Sequence, residues 1–228
     1  MKIEENKPVG RSTNDPYGIQ KSADEYFSIK YLDPARMSSY GHQFSLAMST
    51  NGDTFLNIGS ANNLLNYMLT KQGKYVTDLD LDIRTSPTVT AILPNLPFSN
   101  NSFNVVLCFQ LLEHLPFSML PDCLRELKRV SNKNIILSLP DTSSSKREKV
   151  KYKIYKTIKH PREWRIYRFR EKNKEHFWEI GDGDVTIKMI IDVLNAERLI
   201  LQKHYRNKFN PYHHFFVLLI NNDSSSDQ

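Results

Sequence analysis

Three groups of residues in this 228-residue chain have the types and spacing for chemistry. The first is Gly59-Ser60-Ala61-Asn62, which follows the apolar run Phe55-Leu56-Asn57-Ile58 and precedes Leu64, Leu65, Met68 and Leu69. An apolar run, one glycine, small and amide residues, then helix spacing reads as strand, tight turn, helix. Such a turn aims backbone N–H groups and a helix N-terminus at the space above the strand's end, where a carboxylate or phosphate is held well. An ordinary βα turn has the same local signature, because a full G-x-G-x-x-G would need glycine where Ala61 stands. The second group is Asp80, at the tip of the apolar run Tyr75–Leu79. It lies roughly twenty residues past Gly59, the spacing at which an acid ending a second strand meets a ribose. Asp78 and Asp82 are rivals for that role, and a solvated loop acid is the alternative. The third group is Glu113-His114, which follows the apolar run Phe103–Cys108. Imidazole titrates near neutral pH and can accept a proton; a histidine capping the following turn is the structural alternative.

These residues need a scaffold, and the chain spells one out. Asp33-Pro34 offers an N-cap followed by proline at the first helical position, and Met37, Tyr40, Phe44 and Met48 continue the helix. Thr54 to Ile58 is the first strand. Its helix spans about Asn62 to Gln72 and stops at Gly73. Tyr75 to Leu79 is the second strand, Thr88 to Ile92 a weak third, and Phe103 to Cys108 an apolar fourth, as expected of a strand buried on both faces. A helix over Pro121 to Val130 turns Leu124, Leu127 and Val130 inward, and Asn134 to Leu139 is the fifth strand. Ile187, Ile190, Ile191 and Leu194 mark an amphipathic helix. Arg198 to His204 and His213 to Ile220 form an antiparallel hairpin. Alternating strand and helix through five strands predicts an α/β fold, a Rossmann-like doubly wound sheet, mostly parallel with a C-terminal antiparallel hairpin strand. The expected organisation is a flexible polar arm over 1–24, a domain over 25–220 with a basic insertion at 142–175, and a polar tail at 221–228.

Leu96-Pro97-Phe98, then Ser102-Phe103-Asn104-Val105-Val106, then Leu112-Glu113-His114-Leu115 stand in one short stretch. The chain here resembles the class I S-adenosylmethionine-dependent methyltransferases, in the small-molecule, type 11-like branch whose consensus runs LPF, a turn, SFDVV, a short gap and LEHL. The resemblance covers roughly residues 30 to 220 and implies S-adenosylmethionine as cofactor. It implies that Gly59, Ser60, Ala61 and Asn62 hold the methionyl end and Asp80 the ribose. Leu81, Ile92 and Leu93 would flank the adenine, although family members usually carry an acid where Ile92 stands. Cys108, Phe109 and Gln110 would lie beside the cofactor's middle, with a core role open for Cys108. It sets Glu113 and His114 as catalytic residues beside or just beneath the methyl-transfer centre. His176-Phe177-Trp178-Glu179-Ile180-Gly181 looks like a motif of the same subgroup, so His176 and Trp178, with Tyr40 from the leading helix, are candidate acceptor contacts. They are equally suited to packing. The closing hairpin argues against an NAD-dependent dehydrogenase, whose last strand stays parallel. Asn57, Ala61, Asn63, Ile92, Asn104 and the stretch Ser131-Asn132-Lys133-Asn134 depart from the family pattern.

The bulk properties restrict the partners. No run of about 18 apolar residues exists, so no membrane span is expected. The N-terminus lacks the apolar core of a signal peptide, and Cys108 and Cys123 make neither a disulfide framework nor a zinc site, so a reducing cytoplasm is expected. No metal-ligand set is read. The net charge is +6, yet residues 143–175 hold 13 Lys/Arg against four Glu, a local +9. That asymmetry favours an anionic small-molecule acceptor, or peripheral contact with an anionic lipid surface; a solvated helix face is the plain alternative. Two other functions remain open at this stage. One is a degenerate relative that serves as a partner subunit without catalysis. The other is a nucleic-acid methyltransferase, against which stands the lack of an Asn-Pro-Pro-Tyr-type motif or a nucleic-acid-binding module.

Overall fold

The chain's structure, a computed structural model, describes residues 23–29, 31–143 and 175–221. The polar arm, the basic insertion and the polar tail lie almost wholly outside those residues. The elements are α1 (Ala23–Phe27), α2 (Pro34–Met48), β1 (Thr54–Ile58), α3 (Leu64–Lys71), β2 (Tyr75–Asp80), β3 (Val89–Thr90), β4 (Phe103–Phe109), α4 (Leu120–Val130), β5 (Ser131–Pro140), α5 (Ile187–Ala196), β6 (Leu199–Arg206) and β7 (His213–Ile220). Helix α1 starts inside the stretch expected to be arm.

The seven strands form one sheet in the order β3-β2-β1-β4-β5-β7-β6. Strands β1 to β5 pair in parallel, and β7 inserts antiparallel to both β5 and β6. The chain runs outward from β1 in both directions, so the crevice above the β1–β4 boundary is the switch point where ligands of such sheets collect.

Alternation along β4 builds both faces of the core. Phe103, Val106 and Cys108 join the cluster formed with Leu124 and Leu127 of α4 and Ile190 and Leu194 of α5. Val105, Leu107 and Phe109 face the other way, onto Tyr40, Leu46 and Ala47 of α2 and Leu65 and Leu69 of α3. The leading helix starts as predicted: Asp33 accepts from the Arg36 N–H (2.7 Å) and Pro34 occupies the first turn. Leu96-Pro97-Phe98 is clasped by α4, because Glu126 accepts from the Leu96 N–H (2.8 Å) and Arg129 donates to the Phe98 carbonyl (2.7 Å).

Two strands show the clearest differences from the sequence expectation. Strand β5 begins at Ser131 rather than Asn134, because Phe103 pairs with Ser131 across a bulge and Ser131 Oγ donates to the Asn134 carbonyl (2.9 Å). Strand β3 shrinks to Val89–Thr90, because the chain turns back at Ile92 and bridges to Asn95. Among the described residues no helix is long and apolar enough to cross a membrane.

Candidate active site

The turn after β1 has the backbone of a ligand cradle. Gly59 sits at φ +73°, and a Cβ there would meet Leu111 Cδ1 at 3.3 Å, so conformation and close approach both require glycine. Its N–H donates to the Leu79 carbonyl (2.8 Å), which ties the exit of β1 to β2. Ala61 (φ +50°) and Asn63 (φ +58°) are also left-handed. Asparagine tolerates that region, whereas alanine holds it at a strain of roughly 1 kcal/mol. Asn57, standing where the family has an acid, donates to Asn66 Oδ1 (2.8 Å), and Asn66 donates to Asn63 Oδ1 (2.8 Å). A neutral chain of amides therefore braces the start of α3. Asn104, the other acid replacement, sits at the far end of the sheet and accepts from the Asp53 (3.0 Å) and Thr54 (3.3 Å) N–H groups.

The three rival acids of the β2 end separate by their partners. Asp78 is buried and accepts from Ser60 Oγ (3.3 Å), the Thr88 N–H (3.3 Å) and Thr88 Oγ1. Asp82 caps the turn Ile83–Thr85 and pairs with Arg84 (2.7 Å). Asp80 accepts backbone N–H bonds from Ala61 (3.2 Å) and Asp82 (3.0 Å), and among the described residues it has no basic partner. Burial raises its pKa above the ordinary carboxylate value, against the pull of those backbone donors. An acid so held, beside the glycine turn, has capacity to accept further hydrogen bonds.

Sequence reasoning missed Tyr26 and Tyr31. The Tyr26 carbonyl accepts from Asn62 Nδ2 (3.3 Å), and its ring meets Tyr31 edge-on at 5.3 Å. Burial, then Tyr31 and Asp80, raise the Tyr26 pKa. The signal was the aromatic spacing just ahead of Asp33-Pro34. Tyr40 needs a correction. It was a candidate acceptor contact, but it is 9% exposed and its hydroxyl donates to Asn62 Oδ1 (2.9 Å), which makes it a brace of the glycine turn.

The residues off β3 and β4 divide. Leu81 is exposed, Ile92 half-buried and Leu93 buried in the core. Of the two roles open for Cys108 the structure shows the core one: its side chain is 1% exposed and packs on the α4 face. Burial and the neighbouring Cys123 push its thiol well above the ordinary value. Phe109 leans on Phe215 with ring centroids at 6.2 Å. Gln110, at φ +51°, is clipped to β5 through its N–H to the Ser138 carbonyl (2.9 Å) and Nε2 to Ser138 Oγ (3.2 Å).

Beyond β4, Glu113 is 0% exposed. Burial, then the charge of Glu179, push its carboxyl well above the usual range. The Phe177 N–H donates to the Glu113 carbonyl (2.8 Å), which draws the His176–Ile180 segment over the turn Leu112–His114. The segment brings His176 against His114, with ring centroids at 4.6 Å. His176 Nδ1 pairs with Glu179 Oε1 (2.7 Å), to which the Tyr212 hydroxyl also donates (2.6 Å). Trp178 is corrected: it is 3% exposed, donates Nε1–H to the Leu115 carbonyl (3.0 Å) and meets Phe117 edge-on at 5.2 Å. It anchors the segment to the core. A groove of about 660 Å³ at the opposite edge of the sheet is lined by Arg125, Lys128 and Arg129. Arg125 is paired with Asp122 and Glu197 and Arg129 with Glu126, so little of that charge is available to a ligand.

Comparison with known proteins bears on this geometry. Residues 56–138, from the middle of β1 to near the end of β5, match a methyltransferase domain. No curated protein sequence matches the chain. The fold is similar to that of magnesium protoporphyrin IX methyltransferase from Synechocystis PCC 6803 with bound S-adenosylhomocysteine (TM-score 0.59, 14% identity, 90% of this chain and 91% of that one). It is also similar to a SAM-dependent methyltransferase from Aquifex aeolicus (TM-score 0.55, 13% identity, 89% of this chain and 100% of that one). A third similar structure is 1,6-didemethyltoxoflavin-N1-methyltransferase from Burkholderia thailandensis with its substrate and S-adenosylhomocysteine (TM-score 0.56, 11% identity, 87% of this chain and 84% of that one). Residues 56–138 thus match a methyltransferase domain, and the described fold is the one that S-adenosylmethionine-dependent methyltransferases share.

Proposed function

We propose that the chain transfers the methyl group of S-adenosylmethionine to an anionic small molecule, or to an anionic lipid- or glycan-type acceptor. The observation that carries this reading is the facing pair His114 and His176: His114 follows β4 at the same carboxyl edge as the Gly59 turn and Asp80, and His176 packs against it from beyond β5. When bound, S-adenosylmethionine supplies an electrophilic methyl group on a positively charged sulfur. Gly59, Ser60, Ala61 and Asn62 would hold its methionyl end, Asp80 its ribose, and Leu81, Ile92 and Leu93 its adenine. One observation fits that assignment: the Asp80 carboxylate, bonded to the Ala61 N–H of the glycine turn, lacks a basic partner among the described residues.

The chain's own work is alignment and exclusion of water. Phe109 and Gln110 border the path between the two ends. His114 takes the acceptor's proton, with His176 opposite it. Glu113 acts from below on the position of the pair and does not contact the acceptor. The anionic character of the acceptor rests on the net +9 of residues 143–175. Two of the similar structures are named as methyltransferases of a small molecule, a porphyrin and a toxoflavin precursor.

The test is a screen with labelled S-adenosylmethionine against small-molecule fractions, followed by kinetics on the acceptor found. Replacing Lys151, Lys153 and Lys156 by Gln raises the acceptor's KM and leaves cofactor affinity unchanged, and salt weakens acceptor binding more than cofactor binding. A neutral, salt-insensitive acceptor removes the anionic part of the proposal. Salt-sensitive methylation of RNA puts the nucleic-acid reading first.

A further inference from the structure

We propose that Glu113, His114 and His176 form a binding site for a divalent transition-metal ion, with Zn²⁺ best suited to the donors. One ligand atom from each of the three lies within 4.8 Å of the others. The two imidazoles come from opposite sides of the basic insertion and are held ring edge to ring face, 85° apart.

The Glu113 carboxylate is the independent observation. It is 0% exposed, and neither oxygen has a hydrogen-bond partner among the described residues. Buried polar groups are nearly always satisfied, so such an orphan calls for an explanation. A cation bound between Glu113 and the two imidazoles supplies one, because it compensates the charge where no donor does.

The surroundings of both histidines point the same way. His114 Nδ1 lies 3.2 Å from the Glu175 carbonyl oxygen, which can only accept, so Nδ1 carries the hydrogen and Nε2 the lone pair. His176 Nδ1 lies 2.7 Å from Glu179 Oε1, a carboxylate held in turn by Tyr212. A carboxylate or carbonyl accepting from one ring nitrogen fixes tautomer and orientation, and leaves the other nitrogen as the ligand. Two imidazoles and one carboxylate with a fourth position open is a donor set that zinc takes. Glu179 and Tyr212 are positioning residues in this arrangement.

What the metal does rests on the reading of this edge as the acceptor site. There, a bound Zn²⁺ would replace His114 as the group that eases loss of the acceptor's proton, since the Nε2 lone pair would be on the metal, and it would hold an acceptor's hydroxyl or carboxylate oxygen in the fourth position. Metal binding itself does not depend on that reading.

Untagged full-length protein, dialysed against chelator, is titrated with Co²⁺ by visible absorption and with Zn²⁺ by calorimetry. One equivalent binds to the wild type with the spectrum of a low-coordinate Co²⁺ site. Glu113→Gln and His114→Ala lose that binding while keeping the wild-type circular dichroism, and Glu179→Gln weakens it about 10- to 100-fold. Should Glu113→Gln fail to fold, His114→Ala, on a more exposed residue, decides the matter. Failure of the wild type to bind either ion stoichiometrically overturns the proposal, as does binding that survives in folded His114→Ala. If no ion binds yet His114→Ala loses turnover, the metal is refuted and the proton-acceptor reading stands. If one ion binds and no methyl transfer occurs, the metal site stands without that reading.

Discussion

Asp80→Asn separates a ligand-binding acid from a structural one. In the protein, Asp80 accepts one backbone N–H on each oxygen, from Asp82 at 3.0 Å and Ala61 at 3.2 Å. A carboxylate has about four acceptor positions, so about two remain for the hydroxyls of a ribose. Burial already disfavours the ionised form and raises the pKa. Removing the charge therefore leaves the empty fold nearly as stable. Asparagine keeps the shape but turns one acceptor into a donor. Losing one charge-assisted bond of about 1.5–3 kcal/mol weakens binding about 10- to 150-fold. Calorimetry with S-adenosylhomocysteine measures this, with a thermal melt of the apoprotein as control. An unchanged dissociation constant in a folded Asp80→Asn protein refutes the assignment. So does a large loss of binding in Asp78→Asn, whose expected effect is on stability through its bonds from Ser60 and Thr88.

Two further substitutions report on the scaffold around the site. Trp178→Ala empties a buried ring site and removes the bond to the Leu115 carbonyl; denaturant unfolding registers a loss of about 3–5 kcal/mol. A Trp178→Ala protein of wild-type stability returns that residue to the acceptor site. Asp141 has its pKa lowered: burial would raise it, but His214, Ser143 and Arg206 outweigh that. Its stabilisation is full above the ordinary carboxylate value near 3.9 and disappears as pH falls through the lower folded value. Wild type thus exceeds Asp141→Asn in stability at neutral pH, and acid unfolding curves converge below about pH 4; a constant gap would contradict this.

The strands were legible where an apolar run ends in turn residues. β1 at Thr54–Ile58 and β7 at His213–Ile220 are found as expected, and so is the antiparallel insertion of β7. The early start of β5 was hidden, because Ser131 is polar and becomes strand only by pairing with Phe103. At the site, spacing singled out Gly59 and Asp80. It could not rank Asp78, Asp80 and Asp82, whose difference lies in Thr88 and Arg84 reaching the outer two. Glu113 and His114 are adjacent in sequence, yet one is buried and the other half-exposed, because the His176–Ile180 segment closes over the turn. That closure also makes Trp178 a core anchor and sets His176 against His114. No local pattern encodes a contact across the basic insertion.

The central claim is that the Gly59 turn and Asp80 hold a sulfur nucleotide. Thermal melting of the wild-type protein with S-adenosylmethionine, S-adenosylhomocysteine and NAD in parallel tests it most directly. Either sulfur nucleotide at 100 times its dissociation constant stabilises the fold by about 2.7 kcal/mol and raises the midpoint, and NAD does not. No shift with the sulfur nucleotides at millimolar concentration, or a larger shift with NAD, contradicts it.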